Sequence, residues 1–133
     1  MSQATTDFDL DTFKQAIEER DSTAQLAMYS EDAEVRLFDK LSQPSTPRVL
    51  SGRGQIRSWI EDVCGRDMAH RVELSVLDSN GAAFTEACRY PDGTAVMCAT
   101  VLELDGGLIS RQVAVQAWDE PTDRVRAGGA AST

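Results

Sequence analysis

Imidazole chemistry in this chain has a single carrier, His70, the sole histidine. It stands where a helix hands over to a run of strands, and two readings are open for it. One is proton transfer with a carboxylate partner, for which Asp39 at the end of the first strand is the candidate. The other is a partly exposed residue at a strand start. Asp39 is likewise either a solvated strand end or a carboxylate at a pocket mouth. Cys64, Cys88 and Cys98 together with His70 match the ligand count of a Cys₃His zinc site. No two of them stand at a C-x₂₋₄-C spacing, so no metal is expected. Cys88 and Cys98 flank one hairpin and read as buried small hydrophobes near each other.

The chain contains no G-x-x-x-x-G-K-[ST] loop, no G-x-G-x-x-G after a strand and no G-x-S-x-G elbow. Nucleotide binding and a serine nucleophile therefore have no motif behind them, and no cofactor is expected. Gly52-Arg53-Gly54 opens a helix and reads as a turn in preference to a phosphate cradle.

The elements that must position these residues follow from periodicity. Leu10, Phe13 and Ile17 recur at helical spacing, with Asp7, Asp9 and Asp11 ahead of or in the first turn, where they suit the positive end of a helix dipole. Ser22-Thr23-Ala24-Gln25 has the form of a capping box and opens a short second helix towards Tyr29. Glu34 to Asp39 alternates as a strand, with Val35 and Leu37 on one face. Gln43 to Arg48, with Pro44 and Pro47, reads as a loop. Ile56, Trp59, Ile60 and Val63 mark a third helix, stopped by Gly65, with Trp59 either core or a cavity wall.

Beyond it come strands Arg71 to Asp78, Ala83 to Tyr90, Thr94 to Leu104 and Leu108 to Trp118, separated by Asn80-Gly81, Pro91-Asp92-Gly93 and Asp105-Gly106-Gly107. Val72, Leu74 and Val76 are expected on one face. Helices segregated from an antiparallel meander make an α+β domain over residues 1–120, with 121–133 as a flexible tail. The strand from Thr94 to Leu104 is apolar on both faces. Val96, Cys98, Thr100 and Leu102 share one, and Ala95, Met97, Ala99 and Val101 the other. One face should meet the helices; a second copy of the chain is expected on the other, giving a homodimer through the outer sheet face.

The 133 residues carry 13 Lys plus Arg against 22 Asp plus Glu, a net charge of -9. That balance repels phosphate backbones and excludes a nucleic-acid binder. No window approaches the ~18 apolar residues of a membrane span, and an odd, sparse set of cysteines suits a reducing cytoplasm.

Met28-Tyr29-Ser30-Glu31-Asp32-Ala33-Glu34-Val35, Leu50-Ser51-Gly52-Arg53-Gly54-Gln55-Ile56 and the Asp105-Gly106-Gly107-Leu108-Ile109 turn, taken in this order, resemble the nuclear transport factor 2-like superfamily. Within it the chain looks most like the SnoaL-like group of polyketide cyclases and ketosteroid isomerases, over about residues 8 to 119. The resemblance implies a curled antiparallel sheet wrapped around the N-terminal helices as a cone, with an apolar cavity inside and a dimer across the outer face.

It does not carry the group's catalytic residues over. The isomerase base falls at Leu37, and its two oxyanion donors fall at Phe13 and Thr100. The aspartate that the cyclases place in the last strand falls at Ala114. A three-residue loop, Asp105 to Gly107, would set Leu104 opposite Leu108. It would turn Gln112, Ala114 and Gln116 to the face of Thr100, leaving Val113 and Val115 for a dimer contact. The expected pocket is then lined by Phe13, Tyr29, Leu37, Trp59, Cys98, Thr100, Leu102, Gln112, Ala114 and Gln116, with His70 and Asp39 as catalytic candidates. Such a lining suits a small apolar, ring-bearing molecule. Two functions fit: a cofactor-independent cyclase, isomerase or lyase, and a non-catalytic ligand-binding or accessory protein.

Overall fold

The alternating C-terminal half supplies four strands of one six-stranded sheet in the computed structural model of the chain, which describes residues 8–120. The expected tail at 121–133 lies outside the described residues. Among the described residues, three helices and six strands follow in the order α1 (Leu10–Glu18), α2 (Ser22–Leu26), β1 (Tyr29–Phe38), β2 (Arg48–Ser51), α3 (Gly52–Cys64), β3 (Ala69–Leu77), β4 (Gly81–Arg89), β5 (Ala95–Asp105) and β6 (Leu108–Trp118). The sheet order is β2-β1-β6-β5-β4-β3. Every neighbouring pair is antiparallel except β1 and β6, which run parallel. The result is a curled, unclosed α+β cone with the helices on its concave face.

Local chemistry explains most boundaries and corrects some expectations. The α1 helix starts at Asp9, whose carboxylate accepts the Thr12 N–H at 3.0 Å and is held below its ordinary pKa by that bond. Its apolar stripe of Leu10, Phe13, Ala16 and Ile17 is buried. The cap of α2 is Asp21, not Ser22: its carboxylate takes the Ala24 N–H at 3.0 Å and moves Ser22 into the first turn. An aspartate is the better acceptor at the positive end of a helix. The helix stops at Leu26, and Tyr29 begins β1 five residues before the expected Glu34. Non-local pairing causes this, with Tyr29 lying opposite Ile109 of β6. The expected loop is likewise cut short, because Arg48 to Ser51 pair with Leu37 to Glu34 as an edge strand behind Pro47.

Two bulges decide which side chains face the helices. In β3 the register against β4 shifts between Val72 and Ser75. Val72 therefore points inward, while Leu74 and Val76 turn outward at 72% and 67% exposure, against the shared face read from sequence. In the last hairpin Asp105, not Leu104, lies opposite Leu108. The turn is two residues long, Gly106 and Gly107, at φ +63° and +81°, a left-handed pair that glycine adopts without strain. A regular ladder from that turn would send Val113 and Val115 inward. Instead Ser110 has no partner, its hydroxyl donating to the Glu103 carbonyl at 3.1 Å. Gln112 and Ala114 are thereby buried opposite Leu102 and Thr100. The expected facing holds, but a turn plus a bulge produces it.

The core gathers Phe8, Phe13, Tyr29 and Phe84 as an aromatic cluster under α1, with Val35, Leu37, Ile56 and Ile109 beside it. Outside, Leu74, Val76, Met97, Val101 and Val115 make an exposed apolar surface on the convex face. No described helix is long and apolar enough to cross a membrane.

Candidate functional site

A cavity of about 90 Å³ lies between the helices and the concave face of the sheet. Phe13, Trp59 and Ile60 bound it from the helix side, and Phe84, Val96, Cys98, Thr100 and Ala114 from the sheet. Its polar edge is built by cross-strand register. His70 of β3 stands opposite Cys88 of β4, Glu86 opposite Cys98 of β5, and Cys98 opposite Gln116 of β6. Side chains at paired positions share one face, so residues far apart in sequence meet at one wall.

At that wall His70 Nδ1 lies 2.6 Å from Glu86 Oε2, with the two side chains 5% and 13% exposed. The Cys88 thiol donates to the same oxygen at 3.3 Å and lies 3.4 Å from His70 Nδ1. An ionised carboxylate only accepts, so in the neutral imidazole Nδ1 carries the hydrogen and Nε2 the lone pair. The carboxylate thus fixes both the tautomer and the ring orientation, as a base requires. Burial first, then the Glu86 charge, raises the Cys88 thiol far above the usual thiol range. Burial also pushes Cys98 up to about 11, against the opposing effect of its Thr100 contact. Both thiols are protonated at neutral pH and are poor nucleophiles.

Deeper in the cavity the Tyr29 hydroxyl donates to Gln112 Oε1. Burial, and then the Glu86 charge, holds Tyr29 above its ordinary phenol pKa, so it remains a donor. At the other end Trp118 Nε1 donates to Gln116 Oε1 at 2.9 Å, and its ring stacks on Tyr90 and carries Lys40 at 4.3 Å. These contacts orient the amides, leaving a mainly apolar chamber with a few fixed polar groups.

The cavity brings together most of the residues read from sequence: Phe13, Tyr29, Trp59, His70, Cys98, Thr100, Gln112, Ala114 and Gln116. Three are placed elsewhere. Leu37 and Leu102 are buried in the core but do not line the cavity. Asp39 does not face His70: it sits in a bridge to Ser42, and its carboxylate accepts the Leu41 N–H at 2.9 Å. A carboxylate that closes its own turn is a structural acceptor. The partner of His70 is Glu86, which sequence reasoning missed. Its signal was a charged residue at the inward step of Ala82, Phe84, Glu86 and Cys88, and a buried polar position is the informative one in such a strand.

No family model matches the chain, and no curated protein matches its sequence. Solved structures do match its fold. An NTF2-like protein of unknown function from Mesorhizobium loti aligns with a TM-score of 0.72 at 12% identity, over 81% of this chain and 87% of its own. A proposed ketosteroid isomerase from Kribbella flavida aligns with a TM-score of 0.68 at 20% identity, over 88% and 82%. An uncharacterised bacterial protein with a cystatin-like fold from Silicibacter pomeroyi aligns with a TM-score of 0.65 at 18% identity, over 89% and 77%. At these identities the likeness is one of fold, and it agrees with the curled sheet and its helices. The chain has the nuclear transport factor 2-like fold.

Proposed function

We propose that the chain is an enzyme of the isomerase, cyclase or lyase type, acting by proton transfer on a small apolar, ring-bearing metabolite. The observation that carries this reading is the 2.6 Å contact between His70 Nδ1 and Glu86 Oε2 at the edge of an apolar cavity. A base oriented by a carboxylate next to a mainly apolar chamber suits abstraction of a proton beside a carbonyl, a step that needs no cofactor. At about 90 Å³ the chamber is smaller than the roughly 150 Å³ apolar cavity that accepts benzene. It therefore suits one small ring, with slight yielding of its walls, and excludes a fused four-ring skeleton.

The test is conversion of 3-cyclohexen-1-one to its conjugated isomer, followed by ultraviolet absorbance. Wild-type protein is expected to accelerate it over buffer, and His70→Ala and Glu86→Gln to lower the rate about 10²- to 10⁴-fold. Folded variants that match the wild type would overturn the assignment. Saturable binding of 2-cyclohexen-1-one without turnover of the β,γ-isomer would favour a ligand-binding protein instead. Apolar Phe13 and Leu37 at the positions of the isomerases' polar groups support that second reading.

Two coarser expectations belong to the same proposal. The exposed Leu74, Val76, Met97, Val101 and Val115 support a second copy of the chain on the convex face. Free thiols at Cys64, Cys88 and Cys98 support residence in a reducing compartment such as the cytoplasm.

A further inference from the structure

The same wall holds donors of three chemical kinds. His70, Glu86 and Cys88 each offer one ligand atom, and the three atoms lie within 4.8 Å of one another. The sides of the triangle are 2.6 Å for nitrogen to oxygen, 3.4 Å for sulfur to nitrogen and 3.3 Å for sulfur to oxygen. A tetrahedral zinc-class ion, with bonds of about 2.0 Å to nitrogen and oxygen and about 2.3 Å to sulfur, needs sides of roughly 3.3 to 3.6 Å. Two sides fit within a few tenths of an ångström. The third opens by about 0.7 Å, a movement within reach of the Glu86 side-chain torsions.

We propose that His70, Glu86 and Cys88 form a binding site for one divalent cation of the zinc class, with the fourth position open to the cavity. Imidazole, thiolate and carboxylate together are the donors that such an ion takes, and three protein ligands leave the vacant position of a reactive site. The sequence did not show it because His70 and Cys88 are paired across β3 and β4, a neighbourhood that no Cys spacing encodes. Binding balances as follows. Cys88 gives up its thiol proton to solvent, the His70 proton moves from Nδ1 to Nε2, and Glu86 binds as the carboxylate. One proton leaves per ion, and the dication with one thiolate and one carboxylate is neutral overall, as a weakly polar chamber requires.

The inference does not rest on the acid–base reading. An ion on Nδ1 and on the Glu86 carboxylate removes the pair from proton transfer, so zinc should inhibit any turnover that the pair carries. The competition makes the site a regulatory one wherever the ion and the substrate share the cavity.

Titration of reduced, metal-free protein with Co²⁺ tests it. One equivalent should produce the near-ultraviolet thiolate-to-cobalt charge-transfer band and visible bands of tetrahedral intensity, displaced by Zn²⁺, with one proton released per ion. Cys88→Ala should abolish the charge-transfer band, and His70→Ala and Glu86→Ala should weaken binding at least about a hundredfold. Cys64→Ala should keep the band. Zn²⁺ should also raise the Tm of the wild type and not of Cys88→Ala. Absence of the band in the wild type overturns the proposal even if no variant folds. So does a band that survives Cys88→Ala or disappears only in Cys64→Ala. Because the cobalt spectrum needs no substrate, it separates failure of this site from failure of the proposed turnover.

Discussion

The phenol of Tyr29 donates its hydrogen bond to the side-chain carbonyl of Gln112, joining β1 to β6 inside the core. Both residues are buried, so bulk water does not reach either polar group. Tyr29→Phe strands the Gln112 oxygen, and Gln112→Leu strands the phenol; each should cost about 1–3 kcal/mol. The double variant leaves nothing unpaired and should be less destabilised than the sum of the two. Urea unfolding of all four proteins checks this, and strict additivity would mean that the bond contributes nothing.

Glu86 is expected to act through His70 rather than on the ligand. Glu86→Gln should lower kcat on 3-cyclohexen-1-one by about a hundredfold or more while KM changes little, since the oriented tautomer is lost and the apolar walls are not. A change confined to KM would place Glu86 in ligand binding.

Alkaline pH should destabilise the protein. Burial raises Cys64, Cys88 and Cys98 above the usual thiol range, Cys98 to about 11. In the unfolded chain these thiols titrate near an ordinary value of about 8.5. Between the two values the native state holds protons that the unfolded state has released, so stability falls as pH rises. The contribution is intact below about pH 8 and is lost progressively towards pH 11 and above. Thermal melts across that range should show Tm declining, with a shallower slope in Cys98→Ala. A Tm independent of pH between 8 and 11 would contradict the buried thiols.

Two glycines should fail differently when replaced by alanine. At Gly81 a Cβ would stand 2.7 Å from the Leu102 carbonyl oxygen, so β4 and β5 must separate. A cost of about 1–3 kcal/mol is expected, with amide shifts moving along both strands. At Gly106 the space is open, but φ is +63°, so the cost is backbone strain of about 1–2 kcal/mol with changes confined to the turn. Unmoved Leu102 amide shifts in Gly81→Ala would contradict the close approach.

Charging the convex face should reveal what covers it. The Val101→Glu/Val115→Glu double variant is expected to sediment as a folded monomer where the wild type sediments as a dimer, because both side chains are exposed on adjacent strands. A monomeric wild type would remove the second copy from that face.

Much of this architecture is legible in the sequence where signals are local. The α3 stripe, the turns of the meander and the two-faced character of β5 all follow from spacing and turn chemistry. What escaped depends on distant partners. Nothing near Tyr29 or Arg48 announces that β1 lies parallel to β6 on one side and antiparallel to an edge strand on the other. Periodicity reads a face only while the ladder is unbroken, which is why Leu74 and Val76 were set on the wrong side. His70 was matched with Asp39, a carboxylate made plausible by strand ends, while Glu86 stood diagonally across from it on β4.

Ser110 is skipped by the ladders on both sides of β6. Remove it, and Ile109 can still meet Leu104 while Arg111 still meets Glu103, so every later side chain keeps its face. Add a residue directly after Arg111 without a further bulge, and the amides of the cavity trade places with the valines of the surface. The hairpin therefore contains one spare link. At that link a gene can lose a codon without altering what a ligand meets, whereas a codon gained just past the next residue would turn the chamber inside out.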